Sequence, residues 1–290
     1  EARCGVPTLG VVPWLDQVAL DAEDSMALRG PRPGADSGDA CLDVAVVRFP
    51  HLSNVTDVDA LALEPAVSVR FVSGPAGLGT PDLVVLPGTK STAADLAWLR
   101  DRGLDRAIGA LHRAPCGPVV LGICGGYQML GRSLLDPDGV ESADAAAPGL
   151  GWLDVETRFA PEKVTRRRAG TDPAHGGAAV EGYEIHHGRP APGPGCAPWL
   201  VLDAADGTEA EGVADPDRGV YATSLHGVFE SDAFREGFLG AVAARRRRPF
   251  APAGLSFAAA RQAQIDRLAD ACEAHLDLDA IDALIAEGAP

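Results

Sequence analysis

Val119-Val120-Leu121-Gly122-Ile123-Cys124-Gly125-Gly126-Tyr127-Gln128-Met129-Leu130 is the stretch on which the fold reading turns. An apolar, β-branched run broken only by Gly122 leads into a cysteine, two glycines and a helix-compatible segment. The pattern predicts strand, sharp turn and helix, with Cys124 on the turn. Glycines on both sides let the backbone turn tightly and let a substrate come close to it. A thiol there lies at a helix N-terminus, where unsatisfied N–H groups favour thiolate over thiol. The amide of Gly125 points toward the same space, as an oxyanion donor must. The chemistry that fits is attack on an acyl carbon to give a covalent thioester. A lone cysteine after an apolar run is more often a small buried hydrophobe. Gly122, Gly125 and Gly126 around Cys124 tip the reading to a nucleophile.

Outward from this turn, residues 42–49, 67–72, 83–86 and 118–123 read as strands. Residues 91–100 and 104–112 read as helices, the first capped by Ser91 or Thr92. Alternating strands and helices predict an α/β fold with a mostly parallel sheet flanked by helices. Ligands in such sheets bind beyond the carboxyl ends of the strands. Pro87-Gly88-Thr89-Lys90 and Cys124 both sit at such ends, so two loops converge. Further strands are expected at 151–159, 182–187 and 219–224. Residues 160–179, with the basic run Arg166-Arg167-Arg168, read as an irregular loop. The carboxyl-terminal part reads as helices at 232–244, 256–275 and 278–286. Residues 6–13 look like a short strand or an extended segment. The Gly- and Pro-rich stretch 30–39 reads as a linker. The expected division is 1–38, 39–250 and 251–290.

The chain has 290 residues, 46% of them hydrophobic, and a formal charge of −16. That acidity disfavours nucleic-acid and anionic-membrane partners. No apolar run approaches the roughly 18 residues of a membrane span, and no signal peptide is evident. The six cysteines are scattered, without a C-x-x-C pair. A reducing, cytoplasmic setting is therefore expected. The chain opens on Glu1 rather than Met, which suggests a piece of a longer protein.

A cysteine nucleophile needs a base to take its proton and return it to the leaving group. Of seven histidines, His226 is the best placed, at the end of the expected strand in Tyr221-Ala222-Thr223-Ser224-Leu225-His226-Gly227-Val228-Phe229-Glu230. Gly88 is the second oxyanion candidate, with a plain turn glycine as the alternative. Lys90 invites a phosphate-loop reading, but the glycine spacing before Gly88-Thr89-Lys90-Ser91 is wrong for one. On a strand, Glu184 and His186 face one side, Ile185 and His187 the other. The two histidine side chains diverge and no obvious ligand set completes them, so no metal is expected.

Gly122 to Gln128 matches G-x-C-x-G-x-Q and resembles the nucleophile motif of class I glutamine amidotransferases. Ser224-Leu225-His226-Gly227-Val228-Phe229-Glu230 and Tyr183-Glu184-Ile185-His186-His187-Gly188 narrow the resemblance to the cobyric acid synthase branch. It runs from Gly5 to about Ala286. It implies a flavodoxin-like amidotransferase fold with a carboxyl-terminal helical segment. Cys124 and His226 would be catalytic, Gly88 and Gly125 the oxyanion hole, and Gln128 a glutamine-binding residue. The wider class places a glutamate two residues after the histidine; here that position is Val228, and Glu230 or Glu184 are the possible substitutes. The segment before residue 38 would be the end of an ATP-dependent ligase domain, with ATP and Mg²⁺ required there and no cofactor in this chain. Glutamine, the ligase domain and, through it, a corrin would be the partners. The implied activity is ammonia release from glutamine for amidation of corrin carboxylates. A related amidotransferase's glutaminase component and a non-catalytic docking module are the alternatives.

Overall fold

Three nearly continuous apolar runs and one alternating edge strand begin the central sheet in a computed structural model that describes residues 5–15, 18 and 42–288. They are β1 (Leu42–Val47), β2 (Val67–Val72), β3 (Leu83–Leu86) and β4 (Val119–Ile123). Every residue of β3 and β4 is buried. Strands buried on both faces need exactly this unbroken hydrophobicity, because helices cover both sides of a parallel sheet. The connections carry α1 (Asp59–Ala62), α2 (Thr92–Asp101) and α3 (Leu104–His112), and β4 runs straight into α4 (Gly125–Leu130). Ser91 sits at the start of α2 without a side-chain cap bond. The Thr92 N–H is met instead by Glu141 Oε2 at 3.0 Å.

The chain then leaves the central sheet for a second one. Its strands are β5 (Ser133–Leu135), β6 (Ala146–Pro148), β7 (Val155–Asp172), β8 (Ala178–Pro192), β9 (Leu200–Ala204) and β10 (Gly207–Glu211). The order is β10-β9-β7-β5-β6, with β8 on β7. All of these pairs are antiparallel except β5 with β7. The expected irregular loop at 160–179 is thus a correction. Most of it is β7 and the start of β8, joined by a short turn at Pro173–His175. The ladder was masked by charge. Arg168 is buried, and its guanidinium contacts Glu184 at 3.3 Å and Glu209 at 2.9 Å, while Arg166 also pairs with Glu184. Cross-strand ion pairs let a polar sequence hold a strand pair.

The chain returns with β11 (Val213–Asp215) and β12 (Val220–Thr223) and continues into α5 (Asp232–Arg246). The central sheet reads β11-β12-β4-β3-β1-β2, parallel throughout except for β11 against β12. At Gly126, α4 lies so close to β3 that a Cβ would run into the Leu86 carbonyl. Only glycine permits this approach, which seats the turn bearing Cys124 on the strand ends.

Backbone contacts divide the chain into Ala22–Leu255 and a smaller unit of Glu1–Asp21 with Ser256–Pro290. In the smaller unit, α6 (Phe257–His275) and α7 (Leu278–Glu287) are capped by Ser256 and Asp277. Residues 6–13 form no strand ladder; Gly10 makes a single bridge to Leu276. The expected linker at 30–39 lies outside the described residues.

One buried ion pair ties together two segments that meet at the strand ends. Arg235 of α5 is fully buried and reaches Glu64, just past α1, at 3.0 Å. It also donates to the Phe229 carbonyl at 2.9 Å and the Leu255 carbonyl at 2.7 Å. Removing one member strands the other charge in low dielectric, at a cost of about 3–5 kcal/mol. Arg235→Met should therefore lower unfolding stability in urea by that amount. Arg235→Met with Glu64→Met should lose much less, because no buried charge is left unpaired: Asp232, the other carboxylate on Arg235 at 2.8 Å, is 38% exposed. Equal losses in the single and double variants would contradict this account.

Candidate functional site

Four neighbouring strands deliver the site. In the order β12-β4-β3-β1, each contributes the loop beyond its carboxyl end. His226 follows β12, Cys124 follows β4, Gly88 follows β3, and the 3-10 turn Val55–Val58 follows β1. The carboxyl ends of a parallel sheet are where loops converge on ligands.

Cys124 is buried and holds φ 50°, ψ −105° between β4 and α4. A non-glycine residue in that region is strained, and such strain persists only where the surroundings enforce it. The enforcement is visible. Cys124 N–H donates to the Thr223 carbonyl at 2.8 Å, and its own carbonyl accepts from Gln128 N–H at 3.0 Å. The strand–turn–helix with Cys124 on the turn is the arrangement anticipated from the sequence.

His226 is held from three sides. Glu211 accepts from the Ser224 N–H at 2.7 Å and from the Thr223 hydroxyl, fixing the end of β12. Tyr183 of β8 exchanges two backbone hydrogen bonds with His226, 2.8 and 3.0 Å long. The Tyr183 ring stacks on the imidazole at 5.3 Å. The third side supplies the carboxylate that Val228 lacks. His226 Nδ1 lies 2.7 Å from Asp57 Oδ2, and Asp57 Oδ1 accepts from the Gly227 N–H at 2.8 Å. Both side chains are about 1% exposed. Burial of the ring opposes its charge, but Asp57 and Cys124 outweigh burial and push the His226 pKa up to about 10.

Of the two expected substitutes for the missing glutamate, Glu184 is engaged elsewhere. Glu184 sits between Arg166 and Arg168, and Glu230 lies beside Gly227, one turn past His226. Sequence reasoning missed Asp57 because it comes 169 residues before His226. One signal was available: Asn54-Val55-Thr56-Asp57 follows a strand end, where functional loops of this architecture gather.

Gly88 closes the fourth side. A Cβ on it would lie 2.8 Å from His226 Cε1, so any side chain would displace the imidazole. Its carbonyl accepts from Ser53 N–H at 3.0 Å, and Lys90 N–H donates to the His51 carbonyl at 3.0 Å. Two backbone hydrogen bonds thus join the Gly88 loop to the segment that leads into the Asn54–Asp57 turn. Gly125 packs against Thr89 of the same loop.

A cavity of about 80 Å³ opens beside the thiol, lined by Cys124, Gln128, Thr92, Glu141, Lys163 and His186, among others. Gln128 is buried, and its Oε1 accepts from the Thr92 hydroxyl at 3.1 Å. Burial, together with Asp136 and Asp95, raises the Glu141 pKa to about 7 despite two hydrogen bonds from Thr92. His186 and His187 give Nδ1 to the carbonyls of Gly188 and Ala160. His186 Nε2 is buried 3.6 Å from Glu184 Oε1, with no hydrogen-bond partner among the described residues. Among the described residues, no group of three or more His, Cys, Asp or Glu side chains could hold a metal. None of the described helices is long and apolar enough to cross a membrane.

Residues 43–234 match the CobB/CobQ-like glutamine amidotransferase domain family. Cobyric acid synthase of Nocardia farcinica is 48% identical over 99% of this chain and 56% of that protein. The Mycobacterium marinum enzyme of the same name is 48% identical over 99% of this chain and 54% of its own length. The chain thus spans about half the length of these relatives. Among solved structures, a glutamine amidotransferase matches with a TM-score of 0.50 at 17% identity, covering 69% of this chain and 98% of that one. PurLQS from Thermotoga maritima matches with a TM-score of 0.52 at 15% identity over the same shares. Both support the fold expected from the sequence.

The Asp57 contact has a measurable electrostatic effect. An opposite charge at this distance typically shifts a pKa by roughly 1–3 units. Asp57→Asn should lower the His226 titration midpoint by that amount, as followed by ¹⁵N NMR of labelled imidazoles. The sign is fixed, because a carboxylate favours the imidazolium and an amide does not. An unchanged midpoint would remove Asp57 as the source of the raised value.

Proposed function

Because the chain belongs to the CobB/CobQ-like glutamine amidotransferases, we propose that it works as the glutaminase part of a cobyric acid synthase, a Cys–His–Asp site that frees ammonia from glutamine. The observation that carries this reading is the buried contact of Asp57 with His226 beside a strained Cys124. Imidazolium beside thiolate is the state that attacks an amide carbon.

In the proposed cycle, Cys124 Sγ bonds to the side-chain carbonyl carbon of glutamine. The oxygen, now negative, is met by the Gly88 and Gly125 amides. Removing one such donor typically costs about 10²–10³ in rate. His226 Nε2 gives its proton to the departing nitrogen, which leaves as ammonia. Water then attacks the thioester, His226 takes its proton, and glutamate leaves with the thiol restored. Asp57 fixes the Nδ1–H tautomer throughout, as the acidic member of a triad does.

The cavity beside Cys124 suits the amino-acid end of glutamine. Glu141 would take the α-ammonium and Lys163 the α-carboxylate, with Gln128 and Thr92 between them. The activation of corrin carboxylates, with ATP and Mg²⁺, is assigned to the ligase part of the longer relatives. Gly88-Thr89-Lys90-Ser91 lacks a phosphate loop, so no step here is routed through a nucleotide. The remnant of that ligase domain before residue 38 and a cytoplasmic setting remain parts of the proposal. A docking role without catalysis leaves both the strain at Cys124 and the buried charge pair on His226 without a purpose.

Glutamate release from glutamine tests the reading. Cys124→Ser and His226→Ala should each lower turnover by at least about 10². With the ligase part present, Cys124→Ser should lose glutamine-dependent amidation yet keep amidation from free ammonia. Loss from both nitrogen sources would overturn the division of labour. Glu141 adds a pH signature. Protonation of a carboxylate with a pKa of about 7 removes the partner of the α-ammonium, so KM for glutamine should climb as pH falls below 7. Glu141→Gln should raise KM and flatten that dependence; a KM that still climbs in the variant would assign the effect elsewhere.

A further inference from the structure

The turn that supplies Asp57 also supplies Asn54, and the two grip both nitrogens of one imidazole. Asp57 Oδ2 is 2.7 Å from His226 Nδ1, and Asn54 Nδ2 is 3.0 Å from Nε2. Asn54 has φ 52° and ψ 52°, a left-handed conformation that asparagine tolerates better than most residues. Its carbonyl accepts the Asp57 N–H at 3.1 Å, so the two side chains are set by one backbone turn. Nε2 is the nitrogen that must exchange protons with sulfur, ammonia and water, since Nδ1 is committed to Asp57.

We propose that Asn54 is a positioning residue for His226: its side-chain amide donates to Nε2 of the neutral ring, which fixes the ring plane next to Cys124 and opposes its permanent protonation. The inference rests on the glutaminase reading for its purpose, but not for its geometry. An amide N–H needs a lone pair opposite it, which Nε2 offers only in the neutral ring. Asn54 therefore favours the neutral imidazole. The groups facing the ring from the other elements act mostly the opposite way. Asp57 on its own turn and Cys124 at the β4–α4 turn both stabilise imidazolium. Tyr183 stacks on the ring from β8, its own pKa pushed up to about 12 by burial and the nearby charges of Asp57 and Glu230. A ring fixed as imidazolium protonates ammonia slowly and cannot accept a proton from the water that cleaves the thioester. Asn54 is the counterweight that lets one imidazole serve as acid and then as base.

The experiment uses the full chain with ¹⁵N-labelled histidine. Asn54→Gly keeps the left-handed backbone and deletes the amide. Asn54→Asp keeps the shape but presents only acceptors. Both should raise the His226 midpoint, Asn54→Gly by about one unit and Asn54→Asp by more, because a negative charge then faces Nε2. Glutamine turnover should fall roughly tenfold to a hundredfold, with KM within about twofold and the thermal midpoint unchanged. Asn54→Ala, which removes the donor without adding charge, decides the matter if Asn54→Gly does not fold. A midpoint that stays or falls in the folded variants overturns the proposal, as does unchanged turnover at every pH. If the unsubstituted chain releases no glutamate, the glutaminase reading fails, while the NMR titration still decides the role of Asn54.

Discussion

The buried contact between Asp57 and His226 organises everything around it. Two groups about 1% exposed share a charge where water cannot screen it, so the contact survives only if its surroundings are fixed. That requirement accounts for the fittings already described. Glu211 pins the strand end before His226, Tyr183 clamps its backbone and ring, and Arg235 ties the segment after it to the segment after Asp57. The same contact fixes which ring nitrogen faces the thiol. One carboxylate thus sets the tautomer and contributes to both the orientation and the charge of the ring.

Sheet order turns these local contacts into a site. His226, Cys124, Gly88 and Asp57 follow four strands that are immediate neighbours, β12, β4, β3 and β1. No loop has to span the sheet. The Asn54–Asp57 turn nevertheless reaches past the Gly88 loop to meet His226, and it does so hydrogen-bonded to that loop. Gly88 is the residue that makes this possible, since a side chain there would occupy the space of the imidazole. Gly88, His226 and Asp57 are consequently held against one another by backbone hydrogen bonds and close packing.

What the sequence disclosed follows the range of the interactions involved. The Cys124 turn was legible because its strand, glycines and helix are contiguous. His226 was legible because it ends an apolar strand and is followed by glycine. The central parallel sheet showed in its apolar runs, which are a local consequence of burial on both faces. Asp57 was not legible, because only the folded sheet brings it to His226 from 169 residues away. The β7–β8 hairpin was misread for a different reason. Arg166, Arg168 and Glu184 look solvated in isolation and become strand residues only when paired with one another. Glu141 belongs with Asp57: nothing near it in sequence signals that it meets Thr92 beside the thiol.

The placement of the charge partner has a consequence for how the chain acquires reactivity. Synthesis begins at the amino terminus, so β1 and its carboxylate emerge first, then the thiol, and the imidazole late. The histidine reaches the thiol only when β12 docks beside β4, and β12 follows the whole second sheet in the chain. On the glutaminase reading proposed above, a nascent or half-folded chain carries its cysteine without the imidazolium that would activate it. On that reading the reactivity of Cys124 is coupled to completion of the sheet, because it arises only once β12 has docked beside β4.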